Sequence, residues 1–289
     1  KLPNPDWSWM ELDSYKKSLS DPRIAALPIM FIRGCPHSCT YCSTRLYWGQ
    51  RILYRPLEKV ITEILSNYKL YGVKNFSVID DNPAFNKKWF LEFCRSYQQM
   101  PQDISIAFNN FSLKTIDQEV IDGLKIIRQS KMTIAVETGS QQMQEYISKR
   151  LDFKMVEDKV NLLKKNKIRL HVCRMIGFPN ETLEQINQTI DMAKRLQTDS
   201  VQVWPVFPFP GTKIYEDAKA QDILNLDEND FDTMKQHTAG KILSREWDGV
   251  LLYKIADDTQ IELNILNNPA YNTDEERKKK KNYLKGILT

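Results

Sequence analysis

The chain has 289 residues, of which 42% are hydrophobic and 27% charged; this is typical of a globular protein and excludes global disorder. The net charge is +4, from 41 basic and 37 acidic residues. Because the basic residues are spread along the chain, we expect no nucleic-acid partner. The one dense basic run, residues 277–281, is more typical of a solvated helix face or a frayed tail than of a binding site. The apolar runs are far too short to span a bilayer, so no membrane association is expected.

The chain begins with a lead-in and then alternates between strand and helix patterns. Residues 1–27 are rich in Pro and Trp and predict an extended lead-in segment. Short runs of strand-forming residues predict strands over 28–34, 75–81, 104–108, 131–138, 168–177 and 200–206. Amphipathic helix patterns follow them over 57–65, 90–97, 120–127, 143–147, 156–163 and 186–196, and again after Gly211.

Six consecutive βα units predict a parallel sheet with right-handed crossovers. Eight units would close a TIM barrel, whereas six leave an open partial barrel or a doubly wound sheet, and periodicity does not decide between these. In both folds the active site lies at the carboxyl ends of the strands. After about residue 225 the alternation fades, and helices are predicted over 247–256 and 275–286. We therefore divide the chain into a lead-in (1–27), an α/β core (28–225) and a mostly helical C-terminal extension (226–289).

Three of the five cysteines lie in the loop after the first predicted strand. Cys35, Cys39 and Cys42 have the spacing Cys-x3-Cys-x2-Cys, which indicates a metal site in a reducing compartment and hence a cytoplasmic protein. Three thiolates on one loop can hold three irons of a cubane and leave the fourth open to a cofactor or substrate. Zinc is the alternative, with His37 as the fourth ligand, but His37 lies between two of the cysteines, where the geometry is cramped.

This spacing, between a first strand and a first helix, resembles that of the radical S-adenosylmethionine (SAM) superfamily, over about residues 28–212. The resemblance implies a partial (βα)6 TIM-like barrel and a [4Fe–4S] cluster on Cys35, Cys39 and Cys42. It implies that the fourth iron takes the amino and carboxylate groups of SAM. One electron from the reduced cluster then cleaves SAM to methionine and a 5′-deoxyadenosyl radical. The electron implies a reductant partner such as flavodoxin or ferredoxin.

The resemblance also predicts cofactor-binding residues in the first half of the chain. Tyr41 precedes the third cysteine, where the family has an aromatic residue near the SAM adenine. Asp81 and Asn82 stand where a Gly-Gly-Glu-like motif contacts the SAM amino group, although residues 80–82 here are Asp-Asp-Asn. Glu137 matches a strand-four glutamate associated with the SAM ribose or methionine moiety.

Further candidates lie on the fifth predicted strand and in the turn after it. Gly177 opens the segment Gly-Phe-Pro-Asn-Glu-Thr, which matches a Gly-x-Pro-Gly-Glu-Thr turn of the family with Asn180 in place of Gly. Arg174 can pair with the SAM carboxylate, because a guanidinium group suits a carboxylate; an outward salt bridge is the alternative. His171 and Cys173 on the same strand are predicted to line the barrel.

The lead-in segment indicates which group of radical SAM enzymes the chain resembles. Residues 2–7 and 12–15 resemble the linker that joins an N-terminal cobalamin-binding domain to the radical SAM core. That group often transfers methyl groups to unactivated carbon or phosphorus, and some members perform ring rearrangements or oxidative cyclisations. We expect a cobalamin-dependent-type methyltransferase, or a related radical modification of a small-molecule substrate. No Asp-x-His-x-x-Gly motif occurs, so a cobalamin-binding domain that was cut off, that is a separate chain, or that never existed all stay open.

Three alternatives remain. A tRNA-modifying, methylthiotransferase-like radical SAM enzyme would carry further cluster cysteines upstream and an RNA-binding β-domain downstream. A non-catalytic iron–sulfur electron carrier would have a fully ligated cluster and would not cleave SAM. A zinc-stabilised interaction module would contain zinc. The substrate is not identified by any motif; Trp204, Phe207 and Phe209 predict an apolar rim.

Overall fold

A computed structural model describes residues 3–12, 26–227 and 240–266, together with Thr273, Glu275 and Lys278. The chain divides into two compact units. The first comprises residues 1–36, 50–132 and 165–168, and the second comprises residues 37–49, 133–164 and 169–289. Across the described ranges, no helix has both the length and the apolar character that a membrane crossing would require.

The described residues form eight strands and nine α-helices. The strands are β1 (Leu27–Ile29), β2 (Ile32–Arg33), β3 (Leu53–Tyr54), β4 (Asn75–Val78), β5 (Ser105–Phe108), β6 (Lys131–Glu137), β7 (Arg169–Ile176) and β8 (Ser200–Pro205). The helices are α1 (Thr44–Trp48), α2 (Leu57–Tyr71), α3 (Lys87–Tyr97), α4 (Gln118–Ile126), α5 (Gln141–Tyr146), α6 (Phe153–Lys165), α7 (Leu183–Leu196), α8 (Lys213–Ala220) and α9 (Gly249–Ile261). A π-helix over Glu262–Leu266 continues α9.

The first unit contains a three-stranded parallel sheet in the order β1-β4-β5. Alternate residues of β4 and β5 are buried, as expected for strands with one face on a core. That core is aromatic: the ring of Phe93 on α3 lies 4.7 Å from that of Phe31 and 5.9 Å from that of Phe108, between centroids. Such tilted and edge-on ring contacts add to the stabilisation from apolar burial.

The second unit contains the sheet β6-β7-β8, in which β7 and β8 are parallel from His171–Ser200 to Ile176–Pro205. Its core includes buried residues of α7 and α9, among them Ile186, Ala193 and Leu252. Helix α7 begins with a capping box, because Thr182 and Gln185 each accept a hydrogen bond from the other's backbone N–H. Residues of β7 and β8 belong to the same core, among them Ile176 and Val203, so the loops that follow these two strands are anchored to it.

Each of the six predicted βα strands is found, but the first is broken and the second, predicted over 75–81, ends at Val78. The run over 28–34 is broken after Ile29, because the backbone N–H groups of Phe31 and Ile32 turn to donate to the carboxylate of Asp80, at 2.8 and 3.2 Å. The next two residues form β2, which pairs antiparallel with β3. The prediction of one continuous strand is wrong for this reason.

The described residues test only some of the predictions made for the lead-in and the C-terminal extension. The helix expected over 247–256 is found as α9. The helix expected over 275–286 and the basic run 277–281 lie outside the described residues, apart from Glu275 and Lys278. Residues 13–25 of the lead-in are also outside them. The segment boundaries at 27 and 225 stay predictions.

Candidate active site

The loop that carries the three cysteines begins at Gly34. Any other residue at this position would strain the backbone. Gly34 has φ +97°, in the left-handed region, and a Cβ built on it would lie 2.2 Å from the carbonyl oxygen of Arg51. Asp80, which is 2% exposed, holds the backbone at Phe31 and Ile32 just before this glycine. Burial raises the pKa of Asp80 to about 7, although its two backbone hydrogen bonds act in the opposite direction. The entry to the cysteine loop is thus set by both backbone geometry and a buried carboxyl group.

All three cysteines of the loop are free thiols of intermediate exposure. Cys35 belongs to the first unit, and Cys39 and Cys42 belong to the second. The backbone N–H of Cys42 donates to the carbonyl of Cys39 at 3.1 Å, which makes a tight turn between them. Burial raises the pKa of the Cys39 thiol, and the nearby Lys149 ammonium acts to lower it. Of the other two cysteines, Cys94 is buried and Cys173 is partly buried.

The second unit has a pocket of about 330 Å³ at the carboxyl ends of its strands. Its volume is within the range of small-molecule sites. Three segments surround it: the cysteine loop, the end of β6, and β7 and β8 with the residues after them. The lining residues are Tyr41, Cys42, Ser43, Glu137, Cys173, Arg174, Met175, Gln202, Trp204, Pro205, Val206, Phe207 and Phe209. Of the predicted site residues, the pocket brings together Tyr41, Cys42, Glu137 and Arg174, and the three aromatic residues predicted at an apolar rim also line it.

Glu137 is held at the end of β6 by two donors. Its Oε1 accepts from the Tyr41 hydroxyl at 2.8 Å and from the Lys149 ammonium at 2.7 Å. The Glu137 side chain is 6% exposed and that of Lys149 18% exposed, so this is a largely desolvated ion pair. Burial, followed by the charge of Glu137, raises the pKa of Tyr41 well above its usual value, so its hydroxyl stays a donor. The backbone of Glu137 is left-handed, with φ +69°, an uncommon conformation for a non-glycine residue that is often found at functional sites.

Arg174 is a buried cation among the residues that line the pocket. The residue is 1% exposed, and Nε, Nη1 and Nη2 all lack a hydrogen-bond partner in the described structure. Burial lowers the pKa of its guanidinium to about 10, while the nearby Cys173 and Glu137 oppose this shift. A buried cation without hydrogen bonds costs several kcal/mol unless a ligand supplies an anion. The outward salt bridge considered from sequence is not what the structure shows, because the side chain is inside.

A polar wall lies beside Arg174 on β7 and β8. Gln202 accepts from the Cys173 thiol at 3.5 Å and its Oε1 lies 3.3 Å from Nε2 of His171. The other ring nitrogen of His171 is 2.8 Å from the Ser200 hydroxyl. His171 thus contacts a neighbouring side chain through both ring nitrogens, and it is not among the described residues that line the pocket. Its predicted role as a barrel-lining residue stays a prediction.

The remaining predicted cofactor contacts lie elsewhere. Asn82 is 1% exposed; its Oδ1 accepts from the N–H of Ala84 and its Nδ2 donates to the Thr115 hydroxyl at 3.2 Å. Asp81, also in the first unit, is partly buried. A contact of Asp81 or Asn82 with SAM stays a prediction.

Gly177 has a conformational role that sequence did not foresee. It has φ +85°, and a Cβ built on it would lie 2.3 Å from Cδ1 of Leu252 on α9. Its N–H and that of Phe178 both donate to Oε2 of Glu181. The glycine lets the turn after β7 pack closely against α9 and is not among the described residues that line the pocket. Its contact with a cofactor stays a prediction.

Sequence reasoning missed Lys149, Gln202 and the positioning role of Asp80. Lys149 lies in the connection between α5 and α6, which has no motif that we recognised. Gln202 could have been found from the alternation of β8, since it lies on the same face as Trp204, which was identified. Asp80 stood in the Asp-Asp-Asn segment, but nothing local to it indicated a bond to residues 31 and 32.

Comparison with protein families places these features in context. The model described as the radical SAM superfamily matches residues 29–193, more than half of the chain. An uncharacterized methyltransferase of Pyrococcus horikoshii is 30% identical over 224 residues, which are 78% of this chain and 48% of that protein. The cytidylyl-2-hydroxyethylphosphonate methyltransferase of Streptomyces wedmorensis is 23% identical over 283 residues, 93% of this chain and 52% of that protein. The chain thus spans about half the length of these relatives.

Solved structures show the same fold. The radical S-adenosylmethionine methyltransferase TsrM of Kitasatospora setae, solved with cobalamin and a [4Fe–4S] cluster bound, matches with a TM-score of 0.62 at 18% identity. The match covers 76% of this chain and 40% of that one. A likeness at this level of identity shows the fold alone, and it confirms the α/β fold class, a partial (βα)6 barrel, that was predicted.

Proposed function

Since the chain belongs to the radical SAM superfamily, we propose that the pocket beside Cys42 binds SAM and that the protein cleaves it reductively. The superfamily's cofactors are a [4Fe–4S] cluster and SAM, as the resemblance implied. We assign the cluster to Cys35, Cys39 and Cys42. When bound, the cluster supplies the electron for SAM cleavage, and the protein's own task is to hold and orient its ligands and to exclude water.

Arg174 is the observation that carries this proposal. Arg174 is among the residues that line the pocket, and its buried guanidinium lacks hydrogen bonds in the described structure. A guanidinium is complementary to a carboxylate, which it can bind through two N–H groups at once. SAM carries one carboxylate, on its methionine moiety. The cost of burying the Arg174 charge is then offset only in the complex, which makes the site selective for an anionic ligand group.

The Tyr41–Glu137–Lys149 cluster supports the same assignment, because Tyr41 and Glu137 also line the pocket. Both Tyr41 and Lys149 bind Oε1 of Glu137, and Oε2 takes no part in these two bonds. We assign Oε2 to a donor of SAM, a ribose hydroxyl or the ammonium group. Because Lys149 and Tyr41 fix the carboxylate beforehand, little conformational entropy is lost when SAM binds.

For the reaction that follows SAM cleavage we propose a cobalamin-dependent-type methyl transfer, or a related radical modification, on a small molecule. Methyltransferase names among the relatives and the bound cobalamin of the Kitasatospora neighbour support it. The Trp204, Phe207 and Phe209 side chains give the pocket an apolar wall against which a substrate can pack. A reductant and a cobalamin-binding domain or chain are the partners this reaction requires.

The test is formation of 5′-deoxyadenosine. The protein is reconstituted anaerobically with iron and sulfide, reduced with dithionite and given SAM. We expect product from the wild type and at least a tenfold loss in Arg174→Met at unchanged iron content, with Arg150→Met, whose side chain is 69% exposed, as the matched control. Wild-type activity in Arg174→Met would contradict the assignment. A cluster that forms in the wild type without binding or cleaving SAM would instead indicate an electron carrier.

A further inference from the structure

Helix α1, which follows the cysteine loop, presents large apolar side chains to solvent. Leu46 is 55%, Tyr47 77% and Trp48 45% exposed, and no residue of the helix is buried. Isolated exposed apolar residues are common, but three large ones on a helix of five residues that buries none give an exposed apolar surface, the α1 patch, of the kind that marks interaction sites. Tyr and Trp are also the residues most enriched at the centres of protein interfaces.

The sequence around this helix carries positive charge only. Residues 33–57 contain four arginines, at positions 33, 45, 51 and 55, and no Asp or Glu. Arg45 lies on α1 itself, while Arg55 is paired with Glu63 outside this segment. Because Arg45 is on α1 itself, the helix combines exposed aromatic side chains with a positive charge, which is complementary to an acidic protein surface. Such complementarity raises the rate of encounter as well as fixing orientation.

The helix is also close in the chain to the residues assigned to the cluster. It begins two residues after Cys42, and five helical residues extend only about 7.5 Å. A protein docked on α1 would therefore sit near the cysteine loop. Since electron transfer between proteins slows steeply with distance, this is a favourable place for an electron to enter.

We propose that α1 is the docking surface for the electron donor, an acidic one-electron carrier protein of the flavodoxin or ferredoxin kind. The inference rests on the proposed function, because only a reducible cluster needs a donor. Transient electron-transfer complexes bury little surface, so three exposed apolar side chains with Arg45 on the same helix are adequate for one.

Reduced and oxidised flavodoxin are the probes for the test. The variants are the double change Tyr47→Ser with Trp48→Ser, and the charge reversal Arg45→Glu. Leu70→Ser, at a residue 72% exposed on α2, is the matched control. Calorimetry with oxidised flavodoxin measures binding to the reconstituted protein at low and high salt. Stopped-flow absorbance follows the oxidation of flavodoxin hydroquinone.

We expect both variants to bind oxidised flavodoxin on the order of tenfold more weakly than the wild type, and to oxidise the hydroquinone correspondingly more slowly. Binding should weaken with salt in the wild type and less so in Arg45→Glu. With dithionite, which needs no docking surface, the variants should make 5′-deoxyadenosine at the wild-type rate. Wild-type binding and electron transfer in the variants would overturn the proposal.

Two further outcomes distinguish a failure of the docking proposal from a failure of the proposed function. If light scattering shows a wild-type dimer that the Tyr47, Trp48 double variant converts to a monomer, the patch serves a second copy of the chain and the proposal is wrong. If dithionite yields no 5′-deoxyadenosine in the wild type, the proposed function fails, whereas the flavodoxin affinities of wild type and variants still decide the docking surface.

Discussion

The hydroxyl of Tyr41 donates a 2.8 Å hydrogen bond to Oε1 of Glu137, a residue 96 positions later in the chain. The bond ties the residue just before the third cysteine of the loop to the end of β6. Lys149 completes the arrangement through its own bond to the same oxygen. The cysteine loop and the pocket are therefore not independent, because a change at Glu137 or Lys149 alters the support of Tyr41.

The Glu137–Lys149 pair should behave as a coupled unit. Lys149→Met leaves the Glu137 carboxylate largely buried without its counter-ion, and we expect a loss of about 3 kcal/mol in the free energy of unfolding. Glu137→Gln with Lys149→Met should cost less than the sum of the two single changes. Urea unfolding followed by circular dichroism measures both.

Variants of Glu137 distinguish a role in SAM cleavage from a purely structural role. Glu137→Ala and Glu137→Gln should weaken SAM cleavage while keeping the iron of the cluster, with the exposed Glu145→Gln as control. Loss of iron in these variants would assign Glu137 a purely structural role, and strictly additive unfolding energies would show that the pair is not coupled.

Gly34 should be intolerant of a side chain. Gly34→Ala places a Cβ 2.2 Å from the carbonyl oxygen of Arg51 as well as in a left-handed conformation, so the backbone must move. Gly49 is a matched control, because it also has a positive φ, +70°, but has nothing within 4 Å of a built Cβ. We expect Gly49→Ala to cost about 1 kcal/mol from backbone strain alone, and Gly34→Ala to cost clearly more and to lower iron incorporation. Equal unfolding energies and iron contents in the two variants would refute this.

Glu181 should make stability depend on pH. Burial raises its pKa from 4.5 to about 7, although the backbone N–H groups of Phe178 and Gly177 act to lower it. A carboxyl group whose pKa is raised on folding stabilises the protein below its unfolded value, and that contribution is lost as the pH rises through the folded value. Between about pH 4.5 and 7 the wild type should lose stability from this group.

Glu181→Gln removes the ionisation and keeps an oxygen that can accept from Gly177 and Phe178. Relative to the wild type, this variant should therefore gain stability as the pH rises from 5 to 8, by about 1–3 kcal/mol. Thermal unfolding at several pH values measures it, with Glu184→Gln, an exposed carboxyl group on α7, as the control. A difference between variant and wild type that does not change with pH would show that Glu181 does not titrate in this way.

The cysteines should divide into two classes. Cys35, Cys39 and Cys42 should each be required for cluster assembly, so that alanine at any of them abolishes the iron and sulfide content of a full cluster. Cys94, which is buried against the core of the first unit, and Cys173 should be dispensable for it. Iron and sulfide analysis of the five single variants decides this, and a full cluster in Cys42→Ala would contradict the ligand assignment.

Removing the charge of Arg174 should stabilise the protein without its ligand. Arg174→Met replaces a buried cation that has no hydrogen bonds by an apolar side chain of similar length, and such replacements are often stabilising by about 1–4 kcal/mol. SAM should raise the melting temperature of the wild type but much less that of the variant. Differential scanning calorimetry with and without SAM tests both statements. A ligand-free variant less stable than the wild type would indicate that Arg174 has partners within the protein.

Particular residues show which parts of the fold and of the candidate site could be predicted from the sequence. The strands and helices of the core were predictable, because strand-forming runs and i, i+3, i+4 patterns recur along it. The family resemblance also predicted Arg174 and Glu137 as site residues, and both line the pocket. Lys149 was not predicted, because it reaches Glu137 from a turn in which Ser148 and Arg150 both have a positive φ, at 56° and 49°. No periodic pattern describes such a turn.

Two other features depend on tertiary contacts rather than on local sequence. The break in the first strand is caused by Asp80, which lies 48 and 49 residues beyond the N–H groups that it binds. Helix α1 has five residues and buries none of them, so it lacks the apolar stripe by which the longer helices were found. The break in the first strand and helix α1 are therefore seen in the folded structure but not predicted from the sequence.

The central claim is that Arg174 and its neighbours hold SAM beside a cluster on the three cysteines. Electron paramagnetic resonance of the reduced cluster, with and without SAM, tests it most directly, because a ligand at the open iron changes the spectrum. We predict a SAM-dependent change in the wild type and in Arg150→Met, and none at the same SAM concentration in Arg174→Met with equal cluster content. A wild-type spectrum that SAM leaves unaltered, or an equal response in Arg174→Met, would contradict the claim.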